Sequence, residues 1–121
     1  MTSRPSGNVP DMSIEEVSVE ALETAMAAGA RVVDVREIDE YCGGHVPGAV
    51  LVALATVSDH IDVFRSAGGQ PSTHVICAAG ARSMRACELL AEHGISVVNV
   101  AGGTRAWVTS GRPVVTGDAP L

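Results

Sequence analysis

Three features of the chain predict an α/β domain, a mostly parallel sheet with helices on both faces. Short β-branched apolar runs recur at RVVDV (Arg31 to Val35), THVIC (Thr73 to Cys77) and ISVVNV (Ile95 to Val100). Such runs read as strands buried on both faces. Segments with apolar residues at helical spacing separate them. Strands alternating with helices close into right-handed βαβ units, and those build a parallel sheet. The 121 residues suffice for one domain with a real core, and neither an internal repeat nor a second domain is visible.

The elements follow in order. Residues 1–12, polar with Pro and Gly, read as a loosely held tail without the apolar stretch of a secretory signal. Ser13 to Val17 predicts a short strand. In SVEALETAMAAG, Val19, Leu22 and Met26 share a helical face, Ser18 suits the N-cap, Glu20 the first turn, and Gly29 the end. After the Arg31–Val35 strand, REIDEYCGG predicts a short helix or turn. HVPGAVLV gives a Pro-Gly turn and a strand near Ala49 to Val52. Ile61, Phe64 and Val57 place one apolar face on the next segment, which Gly68 and Gly69 stop. RSMRACELLAEHG sets Ala86, Leu89, Leu90 and His93 on one helical stripe, closed by Gly94. A short helix from about Thr104 to Ser110 follows the last strand. The domain is expected over residues 13–115, with 116–121 as a C-terminal tail.

Composition narrows the function. Apolar residues make up 46% of the chain and charged ones 18%, as in globular domains. The formal charge of −6 argues against a nucleic-acid partner, because phosphate binding needs an excess of Lys and Arg. No apolar stretch approaches the roughly 20 residues that span a bilayer, so no membrane partner is expected. Cys42, Cys77 and Cys87 are odd in number and lack zinc-site spacing, and His60, His74 and His93 are scattered. No metal, no cofactor and no disulfide framework are expected, and reduced thiols suit a cytoplasmic setting.

The stretch VICAAGARSMRA, residues 75–86, carries the chemistry. A strand ends in Cys77, small residues follow, and a helix opens near Arg82 or Ser83. A free thiol with pKa about 8.5 is only about 3% thiolate at pH 7. Three things here favour the anion. The helix start points unpaired N–H groups at the loop. Arg82 brings a fixed positive charge. Ala78, Ala79, Gly80 and Ala81 let the backbone curl so that amides converge. The alternative is a core cysteine, since this residue type is among the most buried.

VVDVRE, EYCGGHVPGAV, the strand–cysteine–loop–helix unit and NVAGGTRAWVTSGRPV occur in the order and spacing of a single-domain rhodanese. From about Ser13 to Val115 the chain resembles the rhodanese-type sulfurtransferases. The resemblance implies a five-stranded, mostly parallel sheet and makes Cys77 the nucleophile, with Cys77 to Arg82 as its loop and Ser83 beside it. It further implies a small sulfur donor, a persulfide on Cys77, and a thiophilic acceptor such as cyanide, a thiol or a sulfur-relay protein. One departure bears on the donor. Members acting on thiosulfate often carry a basic residue after the cysteine, where this chain has Ala78 and Ala79. Thiosulfate is therefore expected to be a poor donor. A carrier or binding module without turnover is the alternative. Phosphatases related to this fold place five residues between Cys and Arg, whereas CAAGAR has four.

Other residues carry two readings each. Asp34 and Arg36 either cap and pair around neighbouring loops or support the active-site loop. His45 matches a family position and reads as stabilising the fold, with proton transfer as the alternative. Gly102 and Gly103 are expected to permit a tight strand-to-helix turn beside the pocket. Trp107 reads as a core anchor and Cys87 as a packed thiol, while Cys42 is a candidate resolving thiol for an oxidised or sulfurated Cys77.

Overall fold

A computed structural model describes residues 13–121; the tail expected over residues 1–12 lies outside the described residues. Five strands, β1 (Glu15–Val17), β2 (Val32–Asp34), β3 (Val50–Leu51), β4 (Thr73–Ile76) and β5 (Val97–Val100), form one sheet in the order β1-β5-β4-β2-β3. Every pairing is parallel. Four α-helices, α1 (Val19–Ala27), α2 (Ile38–Gly43), α3 (Ala81–Glu92) and α4 (Gly103–Thr109), connect or follow the strands. The segment predicted around Val57 to Phe64 forms two 3₁₀ turns, Leu54–Asp59 and Ile61–Phe64, which bury Val57 and Phe64.

Alternation along the strands divides the core in two. Val33 and Val75 point to one face, where Ala86, Cys87 and Leu90 of α3 meet Val57 and Phe64. Val32, Ile76 and Val100 point to the other, against Leu22 of α1, Tyr41 of α2 and Trp107 of α4. Both faces are thus sealed by apolar side chains, at about 25 cal/mol per Å² of surface removed from water.

The elements follow from local chemistry. Ser18 caps α1 by accepting the Ala21 N–H at 3.2 Å. Glu37 and Glu40 form a reciprocal capping box on α2, which tells helix from turn in REIDEYCGG. The stripe of α3 needs correction. It runs through Ser83, Ala86, Cys87 and Leu90, whereas Leu89 is half-buried and His93 is an exposed C-cap. The helix starts at Ala81, earlier than expected, and the buried face is centred nearer Cys87 than Leu89. Among the described residues no helix is long and apolar enough to cross a membrane.

The C-terminal segment is irregular but hydrogen-bonded to the domain. His45 and Val115 exchange two backbone bonds of 2.9 Å. Gly117 N–H donates to Cys42 O, and Gly48 N–H donates to Pro120 O. The Trp107 indole N–H donates to Pro113 O at 2.7 Å.

Candidate functional site

Cys77 follows the last residue of β4, at the carboxyl edge of the sheet, where ligands of open parallel sheets bind. Its chain then turns through Ala78 and Ala79 to Gly80, the N-cap of α3. Gly80 has φ +112°, a left-handed conformation that costs a residue with a Cβ about 1–2 kcal/mol. This turn aims the start of α3 back at the sulfur. The Gly80 N–H donates to Cys77 Sγ at 3.1 Å, and the Ser83 hydroxyl lies 3.3 Å from the same atom.

Burial pushes the Cys77 thiol up, but hydrogen bonds from the Ser83 hydroxyl and from the amides of Ser83, Gly80 and Ala79 outweigh it. The net direction is down. Cys77 is nevertheless only 1% exposed and touches the apolar core. It is both a core residue and the focus of converging donors. The two readings made from sequence therefore describe one side chain.

Arg82 brings its charge to the loop already paired. Its guanidinium does not stand free beside the thiol but grips Glu40 of α2 through two bonds of 2.8 Å. The bond to Arg82, then the Glu37 amide, hold the Glu40 carboxyl down to about 2. Arg82 remains within electrostatic reach of Cys77, but the hydrogen bonds at the sulfur dominate. Glu40 was not singled out from sequence. Its one local signal is the capping-box spacing from Glu37.

The loop is held from behind by α4. Thr104 N–H donates to Cys77 O at 2.8 Å and Arg105 N–H to Ala78 O at 2.9 Å. This approach leaves no room at Gly103, where a Cβ would fall 2.5 Å from Cys77 O. At Gly102 a Cβ would meet that of Ala106 at 2.7 Å. Asn99 of β5, also not singled out from sequence, donates to Gly80 O at 3.2 Å. It is a buried polar residue in an otherwise apolar strand, and that is a sequence signal.

Asp34 and Arg36 pair with each other. Asp34 is fully buried, Arg36 is 6% exposed, and the guanidinium donates to both carboxylate oxygens and to Gly44 O. Asp34 lies opposite Ile76, one residue before Cys77, so the pair braces the strand end rather than reaching the sulfur. His45 is turned elsewhere. It stacks on Tyr41 with ring centroids 3.6 Å apart, and its ring nitrogens lie 2.8 Å from Tyr41 O and 2.9 Å from Ala119 O. Cys42 is half-buried on α2.

A cavity of about 570 Å³ opens beside the loop. Ala78, Arg36, Glu40, Thr104, Arg105 and Val108 are among its walls. The Thr104 hydroxyl is buried and has no hydrogen-bond partner among the described residues. Arg105 is exposed and pairs with no carboxylate among them. A buried thiol held by amides at a helix start, beside a cavity of small-molecule size, is equipped for covalent chemistry at sulfur.

Comparison with known proteins agrees with this geometry. The Rhodanese-like domain family matches residues 18–110. YtwF of Bacillus subtilis is 33% identical over 105 residues, covering 84% of this chain and 98% of that protein. The thiosulfate sulfurtransferase GlpE of Pseudomonas entomophila is 34% identical over 94 residues, covering 77% of this chain and 84% of GlpE. The crystal structure of a rhodanese-related protein from Thermoplasma volcanium superimposes with a TM-score of 0.75 at 28% identity, over 85% of this chain and 99% of that one. With the parallel five-stranded sheet and the cysteine loop at its carboxyl edge, these matches place the chain in the rhodanese-like domain family.

Proposed function

We propose that this protein is a sulfurtransferase that carries a sulfane sulfur on Cys77. The observation that supports this most is the pair of donors on Sγ, the Gly80 amide at 3.1 Å and the Ser83 hydroxyl at 3.3 Å. They favour the thiolate, and the same converging amides would favour a persulfide, whose charge sits on its outer sulfur. The Cys77 thiolate attacks the outer sulfur of the donor. A new S–S bond forms, the donor's S–S bond breaks, and the leaving group departs with the electron pair, as sulfite from thiosulfate or a thiolate from an organic persulfide. Cyanide or a thiolate then attacks the outer sulfur of the Cys77 persulfide, takes it, and restores the thiolate. The two half-reactions make a ping-pong cycle.

Ala78 on the cavity wall offers no charge to a dianion, Arg36 and Arg82 are committed to carboxylates, and the one unpaired cation on that wall among the described residues is the exposed, solvent-screened Arg105. Thiosulfate is therefore the weaker donor, and an organic or protein-bound persulfide the better one. Cys77 is 1% exposed, so transfer requires the loop to yield toward the cavity. Three unpaired thiols suit a reducing, cytoplasmic compartment.

The test is the intact mass of the protein after incubation with thiosulfate and, separately, with an inorganic polysulfide. The expected result is a gain of one sulfur atom on Cys77, released by cyanide as thiocyanate, and absent in a folded Cys77→Ser variant. Undiminished thiocyanate formation by that variant would overturn the assignment. The burial of Cys77 and the two alanines after it favour a second reading, a carrier that relays sulfur between proteins. That reading predicts an adduct from a protein persulfide only, with no turnover on small donors.

A further inference from the structure

Gly80 O sits where three donors meet. Met84 N–H reaches it at 3.2 Å as the first turn of α3 closes. Asn99 Nδ2 reaches it at 3.2 Å, and so does the Ser83 hydroxyl. A carbonyl oxygen has two lone pairs, and a serine has one proton to give. The third donor must look elsewhere, and the other acceptor in reach of Ser83 Oγ is Cys77 Sγ at 3.3 Å.

Asn99 is fully buried on β5, and its amide orientation is decided by its neighbours. Nδ2 faces Glu16 Oε2 of β1 at 2.8 Å and Gly80 O at 3.2 Å. The flipped amide would set Oδ1 against a carboxylate and a carbonyl, two acceptors. Both Nδ2 protons are therefore committed, and the contact with the Glu16 carboxylate is the stronger, charge-assisted kind. Oδ1 is left buried and unpartnered among the described residues, so the amide bears the full desolvation penalty of an unsatisfied acceptor. Isosteric Leu would avoid that cost, so the amide is retained against its own burial penalty.

We propose that Asn99 is a positioning residue for the reaction, which fills the second lone pair of Gly80 O and thereby turns the Ser83 hydroxyl onto the sulfur of Cys77. The chain of contacts runs from Glu16 through Asn99 and Gly80 O to Ser83 and Cys77. It spans β1, β5 and α3, and it acts on sulfur without touching it. This inference rests on Cys77 being the reacting thiol, but its readout, the ionisation of Cys77, needs no sulfur transfer. Its failure is thus distinct from failure of the proposed activity.

Charged and titratable groups near the site come from each element around it: Glu16 on β1, Asp34 and Arg36 at β2, Glu40 on α2, Arg82 and Cys87 on α3, and Arg105 on α4. None is changed by the substitutions below. Ultraviolet thiolate absorbance, each protein measured against its Cys77→Ser counterpart, gives the pH midpoint of Cys77. Asn99→Leu is expected to raise that midpoint by about 1–2 pH units, the range of one hydrogen bond to an anion. Ser83→Ala is expected to raise it similarly, and the double variant no further. Independent, summing shifts, or an unmoved midpoint in folded Asn99→Leu, would overturn the proposal, because a purely structural asparagine predicts one or the other. A second measurement needs no substitution at Asn99. In the unaltered, isotope-labelled protein, the Asn99 side-chain amide resonances should move with the ionisation of Cys77. Resonances that ignore that transition would also overturn it.

Discussion

Cys77 and Cys87 are both buried, yet they are driven in opposite directions. Burial, reinforced by Glu16 and Glu88, pushes the Cys87 thiol up to about 12, whereas Cys77 is lowered in spite of its own burial. What separates them is the supply of donors at the sulfur. Cys77 meets a helix start, while Cys87 lies in mid-helix, where the amides are already bonded. Ala78, one residue on, is the place where charge can be added most directly. It is half-buried, lines the cavity, and has its backbone tied to α4. Ala78→Arg is expected to lower the KM for thiosulfate about two- to fivefold, the range for a partly screened ion pair. The gain should shrink as salt rises. Steady-state kinetics at two ionic strengths would check it, and a KM unchanged or increased would sink the account of donor choice.

At the scale of elements, the site is the meeting of two helix starts with one strand end. The α3 amides face the sulfur, and the α4 amides hold the carbonyls of Cys77 and Ala78. Gly103 is the contact point, with φ +59° and space for a Cβ only at 2.5 Å from a backbone oxygen. Gly103→Ala is therefore expected to cost about 2–4 kcal/mol, from the left-handed conformation and the forced shift of the loop together. It should also raise the Cys77 midpoint as the loop moves. Gly111→Ala is the control, since φ there is +83° but nothing lies within 4 Å of an added Cβ. Equal losses in urea unfolding would remove the claim that close approach, rather than conformation, selects Gly103. The strand–turn–helix around Cys77 was readable because its signals are local: a β-branched run, four small residues, a helical stripe. The partners of that loop were not. Glu40 and Arg82 are 42 residues apart and Asn99 and Gly80 are 19 apart, so no short-range pattern joins them. The charge of Arg82 is legible in the sequence, but its partner is not, because that carboxylate lies in another element. The stripe of α3 lies nearer Cys87 than its own sequence suggests because Val57 and Phe64, from a different segment, form the surface it packs on.

At the scale of the molecule, α2 and α3 belong to opposite faces of the sheet, with Tyr41 in one core cluster and Leu90 in the other. The Glu40–Arg82 pair passes between these layers beside the cysteine loop, so it fastens the two halves at the functional edge. Alternating strands and helices made the layers legible, but not that clasp, which exists only once both crossovers are complete. The clasp gives stability a defined dependence on acid. The Glu40 carboxyl is held down to about 2 in the fold, against 4.5 as its ordinary value. A depressed carboxyl contributes stability in full above its unfolded value and loses it as pH falls through the folded one. The contribution is thus present above about pH 4.5 and declines toward pH 2. Both side chains are about a third exposed, so solvent screening leaves on the order of 1 kcal/mol. Glu40→Gln should be less stable than the parent by that amount at pH 7, and the two should converge as pH approaches 2. Urea unfolding at a series of pH values measures the difference directly. A gap that stays constant down to acid would mean that the glutamate does not act through its charge. No gap at neutral pH would mean that the clasp between the layers contributes nothing to holding them together.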